Sequence, residues 1–500
     1  MAVFSISFFA WFLLGIILAL YLFLTRKYGY WKSLGIPEVP PSFFMGSIGL
    51  DLKTNQGLQE QKWYKKYGRI FGIYEGSTPV LMIAEPELLK DILLKDFYVF
   101  SNQRKLKFGD PILDKRLYVQ NGKKWRNLRN IMRPAFTSCK LKSISKLIEE
   151  CTETLVDNLI EEAKRRKEVD INQSLSAFTI DVIARCAFGL KIDSKKDPNN
   201  RFVKAANELI EPIPWRNVVR NCFPEIATFF QLSYFEPSLI LYFKSVIIEE
   251  INKRNKLINE EKPCDFLQLL IETKENLDEN YGQRLELDDI VAQCINFFIA
   301  GYFATSATLA FTIHQLAVKP HIQERIIKEE EFILKNEGDL NYDTLNEMRY
   351  LEAVIHETLR YYSPAIRLER TTTEEYRLGS TGVTLPKRTI VAVPVYAISH
   401  DPKYFQFPDK YNPERFFGEN RKSIQPFTYM PFGAGPRNCI GMKFAFMEIK
   451  LALAKILYYV KFRPGSRTKH EVDFLPGRGF NRPREVILKV EIQKEKCRNL

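Results

Sequence analysis

The chain has 500 residues, is 45% hydrophobic and carries a net charge of +13, enough apolar material for a large core. Cys139, Cys151, Cys186, Cys222, Cys264, Cys294, Cys439 and Cys497 form no C-x-x-C pair, and the five histidines form no cluster, which excludes a disulfide framework and a zinc site. No nucleic-acid motif accompanies the positive charge, so an anionic membrane surface or an acidic protein partner suits it better than nucleic acid.

Residues 2–25 contain no charge and exceed the roughly 20 residues needed to cross a bilayer. Arg26, Lys27 and Lys32 follow this stretch, whereas a cleaved signal peptide has its basic region first. The expectation is a transmembrane anchor over 1–25 with the bulk of the chain on the cytoplasmic side. Residues 26–42 read as a basic, Pro-rich linker, stiffened by Pro37, Pro40 and Pro41. No Ser/Gly tract or repeat follows, so residues 43–500 read as one large catalytic domain.

Within it, residues 69–84 predict a hairpin around Gly76-Ser77, and 86–95 a helix. Helical periodicity covers 141–166, 286–318, 320–335 and 344–362, with Pro320 and Pro364 as stops. Residues 383–396 alternate as short strands and 484–492 read as a final strand. The fold class is therefore mainly α with a minor β-sheet portion. The stretch 208–242 is aromatic (Trp215, Phe223, Phe229, Phe230, Tyr234, Phe235). It suits a roof over an apolar pocket that also touches lipid, although core packing explains most of it equally well.

Three groups of residues carry chemistry. Trp125 and Arg129 give W-x-x-x-R, an indole N–H and a guanidinium that can both bond a carboxylate. Lys123, Lys124, Arg126, Arg129 and Arg133 surround Trp125 as a candidate basic docking face or a solvated helix. Glu357 and Arg360 are three apart on one helix face, and Arg415 in Pro413-Glu414-Arg415-Phe416 is a candidate third member. Phe432, Gly435, Arg437, Cys439 and Gly441 give F-x-x-G-x-R-x-C-x-G. At about one in twenty per position, five specified residues recur by chance roughly once in a few million windows. The glycines let backbone amides approach the sulfur, and the helical pattern after Cys439 puts it at a helix N-terminus, where negative charge is favoured.

In this order and spacing these motifs resemble the haem-thiolate monooxygenases, the cytochromes P-450. The resemblance covers nearly the whole chain and is densest at 122–142 and 295–465. It is similar to the microsomal group that joins vertebrate drug-metabolising enzymes to insect detoxification enzymes. The resemblance implies a single haem domain behind a membrane anchor, in the endoplasmic reticulum of a eukaryote. It implies haem b with Cys439 as axial thiolate, Phe432 shielding the iron–sulfur bond, and Trp125, Arg129, Arg370 and Arg437 on the propionates. Glu357, Arg360 and Arg415 become the core lock that braces the cysteine loop. Electrons come from NADPH through a separate flavoprotein reductase, with a microsomal b-type cytochrome as a further partner, and the substrate is a lipophilic small molecule.

One stretch departs from the pattern. The family's oxygen-activating helix carries Ala-Gly-x-acid-Thr, whereas this chain has Ala300-Gly301-Tyr302-Phe303-Ala304-Thr305-Ser306. Phe303 and Ala304 thus stand where an acid and a threonine deliver protons, and Phe303 narrows the pocket. Three explanations are open: Thr305 swings in through a local helix distortion, water carries the protons, or the enzyme isomerises or dehydrates an already oxidised substrate. A non-catalytic haem-bearing ligand binder is a further alternative.

Overall fold

A computed structural model describes residues 2–42, 45–47, 54–105, 107–210, 216, 219–220, 223–257, 262–276 and 285–495. It opens with helix α1 (Ala2–Thr25). Of its described side chains, large apolar ones from Phe9 to Phe23 are exposed, Trp11 by 70%. Helix α2 (Gln56–Tyr67) starts at Asn55, whose side chain accepts from Leu58 N, and stops at Gly68. Strands β1 (Ile70–Glu75) and β2 (Thr78–Ile83) form the expected hairpin, with Glu75 opposite Thr78 and Gly76 at φ 56°. The expected helix over 86–95 is α3 (Pro86–Lys90), continued by one π turn over Asp91–Lys95.

The helical body follows with α4 (Gly122–Met132), α5 (Ser138–Lys164), α6 (Ile171–Phe188) and α7 (Pro237–Arg254). Helix α8 (Leu287–Val318) is mostly apolar and mostly buried, apart from a short accessible face around Ala300. A reciprocal capping box between Glu286 and Asp289 starts it, and Pro320 at the first turn of α9 (Pro320–Glu337) separates it from the next helix. The expected single helix over 344–362 is instead a 3-10 turn (Thr344–Glu347) followed by α10 (Arg349–Tyr361). The Glu329 carboxylate takes the Tyr350 and Leu351 N–H groups at 2.7 and 3.0 Å, which pins the new helix start.

Strands β3 (Leu368–Thr371) and β4 (Ile390–Val393) join the hairpin in a four-stranded sheet of order β1-β2-β4-β3. The alternation over 383–396 yields only Thr384–Leu385 and β4, because Pro394 ends the ladder and a helical turn over Val395–Ile398 follows. Helix α11 (Met442–Tyr459) leads into β5 (Val460–Arg463), which pairs with the final strand β6 (Ile487–Ile492). Apolar side chains form a large cluster around α8 and a smaller one around the four-stranded sheet. Helix α8 also has the length and apolarity to cross a membrane, but 56% of its most apolar window is buried.

Candidate active site

The cysteine loop lies between the core and the start of α11. Gly433 and Gly435 have φ of 73° and 72°, conformations that favour glycine. A Cβ on Gly435 would come within 1.8 Å of the Leu93 carbonyl oxygen, so that position admits no side chain. Cys439 N donates to Phe432 O at 2.8 Å, which folds the loop back under the sulfur. The helix begins at Met442, three residues past the cysteine, with Gly441 as its cap. Cys439 keeps exposed surface, yet protein surrounds it on nearly every side. Both are true of a group on the wall of an internal cleft. Burial raises its pKa above the ordinary thiol value, while the Gly441 N–H and the Arg129 charge pull the other way. The loop alone does not favour the thiolate; a bound cation would. Phe432 packs on Phe446 of α11, ring centroids 5.3 Å apart.

Four other candidate residues converge beside this loop. Trp125 is 6% exposed, and the Arg437 guanidinium lies 4.2 Å from its ring centroid. Arg437 donates to Ser101 O, Gln120 O and Asn121 Oδ1 at 2.6, 2.9 and 3.1 Å. Arg129 Nη2 donates to Asn438 Oδ1 at 2.7 Å, one residue before the cysteine. Arg370, on β3, is 2% exposed and its Nε has no partner; its Nη1 donates to Glu369 O at 2.8 Å. Burial, then repulsion by Arg370 and Arg129, pushes the Arg437 pKa down to about 9. Burial pushes that of Arg370 down to about 10. None of the three arginines pairs with a carboxylate among the described residues. Arg437, repelled by two neighbouring guanidiniums and paired with no carboxylate among the described residues, fits a group that brings two carboxylates of its own.

The opposite wall is α8. Phe136 connects the two sides. It lies beside Gly441 and 6.2 Å from the Phe297 ring, which contacts Phe444 of α11 at 5.1 Å. One turn on, Ala300 is exposed and Phe303 and Ala304 are half-buried, while Tyr302 and Thr305 are buried. The accessible face of α8 is therefore Ala300, Phe303 and Ala304. Phe303 stacks on Phe480 at 5.7 Å, and the Arg482 guanidinium lies 5.0 Å from its ring. Thr305 is 2% exposed and faces the core. The helix is unbroken α through this turn, so the distortion expected to bring Thr305 inward is absent. Ser306 and Thr308 bond back to the Tyr302 and Ala304 carbonyls at 2.7 and 2.6 Å.

Glu357 and Arg360 are fully buried and joined by two hydrogen bonds of 2.8 Å. Arg360 also donates to the Ser399, Pro408 and Lys410 carbonyls. Arg415 Nε stands 3.6 Å from Glu357 Oε1, an ion-pair distance too long for a hydrogen bond, and Asn412 N donates to the same oxygen at 2.7 Å. The aromatic roof divides: Phe229 and Phe230 are 81% and 66% exposed, and Phe235 is 4% exposed. Trp215 lies outside the described residues. On the flank, Lys123, Lys124, Arg126 and Arg133 are exposed, whereas Arg129 turns inward. Asn438, Asn121 and Tyr118 belong to the same surroundings, and no motif in the sequence marks them.

A cytochrome P450 family model matches residues 37–489. Cytochrome P450 3A11 of Mus musculus is 37% identical over 499 residues, covering 97% of both chains. Cytochrome P450 3A5 of Homo sapiens is 36% identical over 496 residues, 96% of each. The lithocholate 6-beta-hydroxylase of Mesocricetus auratus is 36% identical over 497 residues, 97% of this chain and 96% of that one. The chain belongs to the cytochrome P450 family. It is an oxidoreductase of the monooxygenase class whose cofactor is haem b with a cysteine thiolate axial ligand.

Proposed function

We propose that this chain inserts one oxygen atom from O2 into a lipophilic small molecule, with Cys439 as the haem ligand and NADPH electrons delivered by a flavoprotein reductase. The observation that carries the reading is the convergence of Arg129, Arg370 and Arg437 beside Cys439, none of them paired with a carboxylate among the described residues. Bound haem supplies the iron at which dioxygen is reduced. Arg129, Arg370, Arg437 and Trp125 hold its carboxylates. Phe432 keeps water from the sulfur. Glu357, Arg360 and Arg415 keep the segment before the loop in place. One similar protein carries a hydroxylase name, which supports oxygen insertion.

The substrate class is apolar, xenobiotic, insecticide or hormone-like, because the face of α8 that meets the cleft offers no side-chain donor at Ala300, Phe303 or Ala304. Protons reach the site by water rather than by Thr305, whose side chain is turned into the core. The exposed apolar side chains of α1 support a membrane anchor over residues 1–25, with 26–42 as linker and 43–500 as the haem domain on the cytoplasmic side of the endoplasmic reticulum. Exposed Lys123, Lys124, Arg126 and Arg133 suit an acidic reductase or b-type cytochrome surface. Phe303 and Ala304 favour a second reading, a haem-thiolate isomerase or dehydratase.

Reconstitution with reductase, NADPH and a panel of lipophiles separates the readings. Oxygenated product that requires NADPH supports the first. Product without NADPH supports the second. Ligand-induced spectral shifts with no turnover under any electron supply would leave only a haem-bearing binder.

A further inference from the structure

Phe432, the residue that keeps water from the Cys439 sulfur, is half-buried and leans on one ring. Among the described residues that ring is Phe446 of α11, with centroids 5.3 Å apart. Phe446 is half-buried too, and it meets one further ring among the described residues, that of His356, at 4.9 Å. Neither phenylalanine is enclosed on every side, so the position of both depends on what stands behind them.

His356 is well fixed. It precedes Glu357 on α10 and is 6% exposed. Its ring stacks on Phe416 at 5.4 Å and meets Tyr429 at 5.7 Å, and those two rings meet each other at 4.7 Å. Its Nδ1 lies 2.8 Å from the Tyr429 hydroxyl, which donates to the His356 carbonyl at 3.1 Å. A hydroxyl has one proton to give, so the two bonds hold together only with the other proton on Nδ1. On the far side Nε2 stands 3.6 Å from Glu352 Oε1, beyond hydrogen-bond reach, and that carboxylate is taken by Lys450 and Arg421 at 2.6 and 2.8 Å. Phe416 ends the 3-10 turn over Pro413–Phe416, and Tyr429 stands three residues before Phe432. One imidazole therefore touches α10, that turn, the approach to the cysteine loop and α11.

We propose that His356 is a positioning residue for the thiolate: acting through Phe446, it seats Phe432 over the sulfur of Cys439 and so excludes water from it. Glu357 and Arg360 do a different job, since their bonds go to the backbone of the 399–412 segment. They hold the chain before the loop, whereas His356 holds the side chain that covers the sulfur. The inference rests on Cys439 being the haem ligand and Phe432 its cover.

The test uses the full-length, haem-loaded protein, reduced and bound to carbon monoxide, in moderate urea. Two rates are followed in one sample: loss of the red-shifted Soret band, which reports the thiolate, and loss of the far-UV helix signal, which reports unfolding. His356→Ala should raise the ratio of the first rate to the second at least about five-fold, the scale of one aromatic contact. Phe446→Ala should do the same. His356→Phe, which keeps the ring, should stay within about three-fold of wild type, and Tyr429→Phe, which loses only the hydrogen bond, should raise the ratio about two- to three-fold. In a Phe432→Leu background His356→Ala should change the ratio by less than about two-fold, because the relay has lost its end. A merely structural role speeds both rates together and leaves the ratio alone. If His356→Ala does not load haem, Phe446→Ala and Tyr429→Phe still decide. An unchanged ratio in these variants, or the full effect of His356→Ala persisting beside Phe432→Leu, overturns the relay alone. A folded, haem-loaded wild type without the red-shifted band overturns the ligand reading, and the relay with it.

Discussion

Glu357 and Arg360 face each other through two hydrogen bonds of 2.8 Å with no exposed surface on either side chain. Arg360 spends its remaining donors on three carbonyls of the 399–410 segment, and Glu357 also holds Asn412 N. The pair therefore ties α10 to the chain that leads toward Cys439. Glu357→Gln keeps the shape and leaves Arg360 uncompensated, at a cost of about 3–5 kcal/mol. The expected result is little or no haem-loaded protein, read as haem absorbance per mole of purified chain. Arg415→Ala should cost less, because its contact with Glu357 is longer and its side chain is 14% exposed.

Arg370 illustrates opposite effects on the empty and loaded protein. Its charge is buried, partly unpartnered and repelled by Arg437. Arg370→Met should stabilise the apoprotein by ~1 kcal/mol or more in urea melts and speed haem loss to an acceptor protein by about ten-fold. A variant that loses stability in both forms would contradict the assignment.

Ala304 lies on the accessible face of α8, whereas Thr305 does not. Ala304→Thr should therefore raise product formed per NADPH consumed by at least ~2-fold and lower peroxide release. Thr305→Ala should leave this ratio near the wild-type value. The reverse pattern would restore Thr305 as the proton carrier.

Glu330 on α9 is fully buried, neither carboxylate oxygen has a hydrogen-bond partner, and burial raises its pKa to about 8. The folded state therefore holds this proton over a pH range where the unfolded chain has lost it. Its contribution to stability falls as pH rises from about 4.5 to about 8, by at most ~1.4 kcal/mol per unit. Glu330→Gln should flatten this slope, so that its melting temperature gains on wild type between pH 5 and pH 8.

Residues that carry chemistry by type and spacing were the most legible in the sequence. The spacing of Phe432, Gly435, Arg437, Cys439 and Gly441 marks a loop that folds around one hydrogen bond from Cys439 N to Phe432 O. The β1–β2 hairpin and α8 were legible because their patterns are local. Helix α6 was not: its apolar residues surround it on all sides, so no face stands out, and its limits rest on the Asp170 cap and Gly189. The orientation of Thr305 was equally hidden, since one residue's shift along a helix turns a side chain by about 100°.

The most direct test is the carbon-monoxide difference spectrum of the reduced, full-length protein, with Cys439→His alongside. Thiolate donation shifts the haem Soret band strongly to the red, and an imidazole ligand does not. The expected result is the red-shifted band in wild type and its loss in Cys439→His, with haem still bound. Folded, haem-loaded wild type without that band, or Cys439→His that keeps it, would contradict the assignment of Cys439.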